Sequence, residues 1–219
     1  MLDFVDRFGF VPNGGRQYYT NRSQPPFLTL MVAALADADP LRPTASDGAA
    51  VDTAFLIEAL PRLEAEYAFW TRTGSAHVVP LARTDGSGRV DSLCRYAVDS
   101  SGPRPESFKE DAELAMRRDP NIPAPVFFSN LAAGAESGWD YSSRWFANGM
   151  NETTIDTMSV IPVDLNSVLC RVELTMAHIH SLLPNPDWSR VKFFNNVRDS
   201  MHGKMHVFYC LCTDATLWF

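Results

Sequence analysis

The sequence has no excess of positive charge: 19 Lys and Arg stand against 26 Asp and Glu, a formal net charge of −7. No basic field is present to draw in nucleic acid or an anionic membrane surface, so neither is expected as a partner. No apolar run reaches the roughly 18 residues of a membrane-spanning helix. Cysteine is scarce. Cys94, Cys170, Cys210 and Cys212 form no paired CxxC pattern and are too sparse for a disulfide scaffold. Buried thiols are the plain expectation, with one disulfide left open. A serine elbow of the G-x-S-x-G type and a phosphate-cradling glycine loop are both missing. His178 and His180 are spaced for different faces of a helix, and His202 and His206 have no acid or thiolate cluster near them in sequence, so no metal is expected. The first residues, Met1-Leu2-Asp3-Phe4-Val5-Asp6-Arg7, mix acids with apolar residues. They read as an amphipathic helix rather than a signal peptide, and the compartment stays undetermined.

What is present is an ordinary globular composition, 46% apolar and 21% charged, enough to bury a core. Phe4, Val5 and Phe8 share a helical face that should end near Gly9. Helices are predicted over 27–36, 49–70, 107–117, 126–135 and 165–183, the last with a stripe of Leu165, Leu169, Val172, Met176, Ile179 and Leu183. Pro61 inside the second of these predicts a kink or the first turn of a new helix. Residues 77–81 and 93–98 read as short strands around an Asp85-Gly86-Ser87-Gly88 turn. The tail from Pro184 is less regular, with 206–218 a strand or a buried helix. The chain is therefore expected to be mostly helical, with long loops rich in polar and aromatic residues and one short β-hairpin.

Four segments could carry chemistry. The first, 11–26, packs Asn13, Arg16, Tyr18, Tyr19, Arg22, Ser23 and Gln24 into a turn-rich run. Forked donors beside aromatic rings suit sugar hydroxyls, although a polar surface loop would look alike. The second, Arg104-Pro105-Glu106, is a stiff loop holding a cation beside an anion; a local ion pair at a helix start is the simpler reading. In the third, Glu136-Ser137-Gly138-Trp139-Asp140-Tyr141, a carboxyl lies between two aromatic residues. Rings pressed on a carboxyl disfavour its charged form, the condition a general acid needs. Asp140 could equally cap a helix over 142–146. The fourth, Ile161-Pro-Val-Asp164-Leu-Asn166, offers Asp164 or Asn166 as a helix cap.

Together and in this order, Pro12-Asn-Gly-Gly-Arg-Gln-Tyr-Tyr with Arg22-Ser-Gln-Pro-Pro, Arg104-Pro-Glu-Ser, Glu136-Ser-Gly-Trp-Asp-Tyr-Ser-Ser-Arg-Trp and Ile161-Pro-Val-Asp-Leu-Asn resemble the trehalase family of inverting glycoside hydrolases. The resemblance implies part of an (α/α)6 toroid of paired helices with the loops at the mouth of a sugar pocket. It implies Asn13, Arg22, Ser23, Gln24, Arg104, Pro105, Glu106 and Gly138 as substrate-binding positions and Asp140 as the catalytic acid. The implied substrate is α,α-trehalose, cleaved to two glucose molecules without cofactor. Residues 1–183 would be the central part of such a catalytic domain and 184–219 a divergent tail. The family's Pro-Gly-Gly-Arg-Phe block and its catalytic base are not found in these residues. The chain is read as a partial trehalase, with a sugar-binding or vestigial product without turnover as the alternative; a helical-toroid glycosidase acting on another glucoside is disfavoured by the Arg22-Ser-Gln and Gly138-Trp-Asp blocks. The family's members are often secreted, periplasmic or membrane-anchored.

Overall fold

The computed structural model describes residues 1–41, 50–82 and 90–199. Six α-helices and one hairpin follow in order: α1 Leu2–Phe8, α2 Leu28–Leu35, α3 Thr53–Thr71, β1 Val78–Ala82, β2 Val90–Cys94, α4 Phe108–Ala115, α5 Ala124–Glu136 and α6 Val163–Leu182. Helical backbone also covers 188–199, where the sequence predicted less regularity. The expected strand or helix at 206–218 lies outside the described residues, as do the hairpin turn at Asp85–Gly88, Cys210 and Cys212. No disulfide joins Cys94 to Cys170, and the buried Cys94 thiol donates to Trp70 O at 3.5 Å.

Two apolar clusters hold these elements. One gathers Leu28 and Val32 of α2, Leu56, Leu63 and Tyr67 of α3, and Met176 and Ile179 of α6, with Phe194 inserted from the last helical stretch. The other gathers Trp70, Leu93, Tyr96, Phe127, Leu131, Trp145, Leu165 and Leu169, so α5, α6 and the hairpin share it. Trp70 at the end of α3 and Leu169 within α6 are fully buried, and α3 and α6 each contribute to both clusters.

Helix α3 corrects one of the two readings of Pro61, that it opens a new helix. It runs without interruption through Pro61, from an Asp52 cap whose side chain accepts from Phe55 N at 3.0 Å. Leu56, Ala59 and Leu63 around the proline are completely buried. Their packing offsets the one backbone hydrogen bond the imide nitrogen cannot make.

The hairpin pairs Val78 with Cys94 through Ala82 with Val90. A residue expected to cap α6 ties it to that helix. Pro162, not Asp164 or Asn166, occupies the cap position. Asn166 lies one turn inside, nearly inaccessible, and clasps Cys94 from both sides: its Nδ2 donates to Cys94 O and its Oδ1 accepts from Cys94 N, both at 2.8 Å. Asn166→Ala removes both hydrogen bonds it makes to the buried Cys94 backbone, and an equilibrium urea titration is expected to show a loss of about 3 kcal/mol. A loss below about 0.5 kcal/mol, the scale of an ordinary surface substitution, would contradict this account.

Candidate active site

The candidate site is organised around the C-terminal end of α5. The turn after the helix is held from three sides. Ser137 Oγ accepts from Trp139 N at 3.0 Å, Trp145 Nε1 donates to Trp139 O at 3.0 Å, and the Tyr141 hydroxyl donates to Leu131 O at 2.9 Å. Gly138, at φ 71°, supplies the left-handed residue that turns the chain out of the helix. Gly134 admits the Tyr141 ring: a Cβ there would lie 2.6 Å from a ring carbon.

Asp140 does not take either arrangement suggested by its neighbours in sequence. The 3₁₀ turn Ser143–Trp145 is capped by Ser142, not Asp140. Nor do the two rings enclose the carboxyl. Tyr141 packs back on α5, Trp139 is 54% exposed with the Arg144 guanidinium 4.7 Å from its ring centre, and Asp140 is exposed. Adjacent residues on a tight turn point apart, so sequence adjacency did not translate into contact. Among the described residues, the Asp140 carboxylate has no hydrogen-bond or ion-pair partner. Asp164, a capping candidate, instead pairs with Arg144 at 2.9 Å.

The 11–26 loop folds onto the same helix end. Asn13 Nδ2 donates to Ser23 O at 3.0 Å and to Ala135 O at 3.2 Å, and its Oδ1 accepts from Arg22 Nε at 3.3 Å. Arg22 is 2% exposed, lies over the Tyr19 ring and makes a close ion pair with Glu106. Gln24 Nε2 donates to Pro12 O at 3.3 Å. Ser23 is buried, and its hydroxyl donates to Glu136 at 2.9 Å.

Arg104 and Glu106 do not pair with each other: Glu106 reaches Arg22, whereas Arg104 makes a local ion pair with Asp111 in the first turn of α4, the helix that follows. Arg104 N and Nε both donate to Asp111 Oδ2 at 2.9 Å, and Nη2 donates to Oδ1 at 2.7 Å. Burial works against the guanidinium's charge, but the Asp111 hydrogen bonds outweigh it and hold the pKa above its usual value. The Arg104 guanidinium also lies 5.1 Å from the centre of the Tyr141 ring. Burial pushes the Tyr141 phenol up, Arg104 partly opposing it. Pro105 is exposed and opens the short 3₁₀ turn Pro105–Ser107.

Asn13, Arg22, Ser23 and Glu106 thus form one network with the end of α5, and Arg104 joins it through Tyr141. Sequence reasoning did not single out Asp111, Glu136 or His77. Asp111 sits seven residues past Arg104, and nothing in that spacing marks it as the partner. Glu136 was visible only as the first letter of its segment. Among the described residues no cluster of His, Cys, Asp and Glu could hold a metal ion, and among them no helix is long and apolar enough to cross a membrane.

These elements form a helical scaffold with its charged loops collected at a helix end, and that class of framework is shared with a known structure. Neutral trehalase of Saccharomyces cerevisiae has the same fold over 91% of this chain and 38% of its own, with a TM-score of 0.60 at 22% identity. The family model described as Trehalase matches residues 1–208. Relatives named trehalase include proteins of Dictyostelium discoideum, 41% identical over 84% of this chain, and Homo sapiens, 42% identical over 84%. A periplasmic trehalase of Xanthomonas oryzae pv. oryzae is 42% identical over 81%. The chain belongs to the trehalase family. It spans 29%, 29% and 30% of the length of those three relatives.

Proposed function

We propose that this chain supplies sugar-binding loops and the general acid for hydrolysis of α,α-trehalose to two glucose molecules. Asn13, Arg22, Gln24, Arg104 and Glu106 hold sugar hydroxyls, with Ser23, Pro105 and Gly138 shaping the loops that present them. Asp140 protonates the oxygen joining the two anomeric carbons. A second carboxylate, assigned to none of these 219 residues, activates water on the opposite face. Inverting hydrolases keep the two carboxyl groups roughly 6.5–9.5 Å apart to admit that water, and one glucose leaves with inverted configuration. No cofactor takes part.

One observation carries the binding role. Arg22 Nη1 and Glu106 Oε2 are buried and have no hydrogen-bond partner, although Arg22 and Glu106 hold each other through their other atoms. A donor and an acceptor left over on a fixed ion pair suit a hydroxyl, which can accept from one and donate to the other. The exposure of Asp140 favours a second reading, binding without turnover.

Titration calorimetry and a glucose-release assay test both. The chain is expected to bind trehalose, with Arg22→Leu weakening it by about tenfold or more. Absence of trehalose binding would overturn the sugar-binding role. Glucose release at an ordinary enzyme rate of about 10 s⁻¹ would overturn the absence of a base. Any slow release detected should fall about a hundredfold in Asp140→Asn, and release indifferent to that change would remove Asp140 as the acid.

A further inference from the structure

One carboxylate in this structure faces four donor groups, and it is neither Asp140 nor Glu106. It is Glu136, the last residue of α5, completely inaccessible to solvent. Its Oε1 accepts from Ser23 N at 3.0 Å and from Ser23 Oγ at 2.9 Å. Its Oε2 accepts from Ala97 N at 3.0 Å. His77 Nε2 lies 3.2 and 3.1 Å from the two oxygens. The tautomer follows from the other side of the ring. Ser75 Oγ already accepts from His77 N and can donate to His77 Nδ1 at 3.3 Å, leaving the proton on Nε2 to face the carboxylate.

These contacts join segments far apart in sequence. Ser23 belongs to the loop that carries Arg22, His77 stands at the entrance to the hairpin, and Ala97 follows its exit. Glu136 itself is four residues before Asp140. We propose that Glu136 is a positioning residue that fixes the Arg22–Ser23 loop against the turn bearing Asp140, with His77 as the partner that orients its carboxylate. The functional consequence rests on the sugar-binding reading given above. It also reassigns Ser23: with its hydroxyl committed to Glu136 and its backbone oxygen to Asn13, Ser23 acts on a sugar through the placement of Arg22 and not by direct contact.

Only a carboxylate satisfies this arrangement. An amide has one accepting oxygen and one donating nitrogen. With Gln at 136, one orientation sets its NH₂ against Ser23 N–H and the other against Ala97 N–H. Neither rotation removes the conflict, and a buried donor is left unpaired in both. The side-chain volume is nearly unchanged, so packing is preserved while the hydrogen-bond pattern is not.

Amide hydrogen exchange and trehalose calorimetry on the full 219-residue chain test the proposal together. In Glu136→Gln, the Ser23 and Ala97 amides and those of 138–141 should exchange about tenfold faster or more, with the interior of α6 unchanged. Trehalose affinity should fall about tenfold. Ser23→Ala, which removes one donor and keeps the backbone bond, should produce a smaller change of the same pattern. If Glu136→Gln fails to fold, Ser23→Ala carries the test with the same two readouts. Unchanged exchange at Ser23 and Ala97 would overturn the proposal. So would equal acceleration in α6, which marks a general loss of stability. Wild-type affinity in a Glu136→Gln chain whose loop exchanges faster would overturn its functional half. If the unaltered chain binds no trehalose, the sugar-binding reading fails, and the exchange pattern alone decides whether Glu136 positions the loop.

Discussion

Replacing Asp111 with alanine is expected to destabilise the fold by about 3–5 kcal/mol. The reason is Arg104. Both side chains are almost fully buried, 8% exposed for Arg104 and 2% for Asp111, and the carboxylate takes three hydrogen bonds from this one arginine. The guanidinium cannot shed its proton to escape the loss, because its charge is retained at any accessible pH. Alanine would therefore leave a buried cation beside Tyr141 without the carboxylate that takes its hydrogen bonds. The cost belongs to the broken pair and not to the pair's own strength, so the double variant Asp111→Leu with Arg104→Met should recover much of the loss. Urea midpoints of the single and double variants check this. A loss below about 1 kcal/mol in Asp111→Ala, the scale of an exposed ion pair, would show that water replaces the carboxylate. The loop 104–106 would also lose its anchor, so Glu106 should hold Arg22 less firmly and trehalose binding should weaken.

A second large effect is expected from pH. Glu66, on α3, is 4% exposed, and burial pushes its carboxyl up to about 8 from an ordinary value of 4.5. No ion-pair or hydrogen-bond partner for it is found among the described residues. Between those two values the folded chain keeps a proton that the unfolded chain releases. The folded state then binds more protons, so stability falls as pH rises. The contribution is fully present below the unfolded value of 4.5 and is lost as pH rises through about 8. At about 1.36 kcal/mol per unit the loss is of order 5 kcal/mol. His180 acts in the opposite sense, because burial lowers its pKa and its neutral form is favoured in the fold. The difference between wild type and Glu66→Gln isolates the glutamate. Urea midpoints from pH 5 to 9 should fall more steeply in the wild type, and parallel profiles for the two chains would refute this.

Several features of the fold were legible in the residues. The helical stripe of Leu165, Leu169, Val172, Met176, Ile179 and Leu183 predicted α6 because a 3.6-residue period places these side chains on one face; the first five are buried, while Leu183 is the half-buried residue just past the helix end. Extended residues marked the first strand, expected at 77–81 and found at 78–82, but the second lies at 90–94 and not at the expected 93–98, because its register is set by pairing with β1. Pro61 does not start a new helix, because its local cost is about one hydrogen bond and tertiary packing of Leu56, Ala59 and Leu63 exceeds it. The helical stretch at 188–199 was missed because its stabilising contacts are distant: Phe194 inserts beside Tyr67 and stacks on His180.

The site divides along the same line. Residue order alone was enough to place the chain in a family and to name Asn13, Arg22, Ser23, Gln24, Arg104, Glu106 and Asp140, because these blocks are contiguous and their order survives in the primary structure. Pairing was not legible. Arg22 meets Glu106 across 84 residues, Asn166 holds Cys94 across 72, and Glu136 binds Ser23 across 113. Such bonds depend on where helices carry their ends, and a carboxylate written in sequence gives no sign of which donors will surround it. Asp140 shows the converse: its aromatic neighbours in sequence turn away from it in space. Local periodicity and chemistry determined the helices and the candidate residues. Only the tertiary structure decided which charges were neutralised, which were buried without a partner, and which carboxylate holds the loops together, because burial and long-range hydrogen bonding are properties of the packed chain.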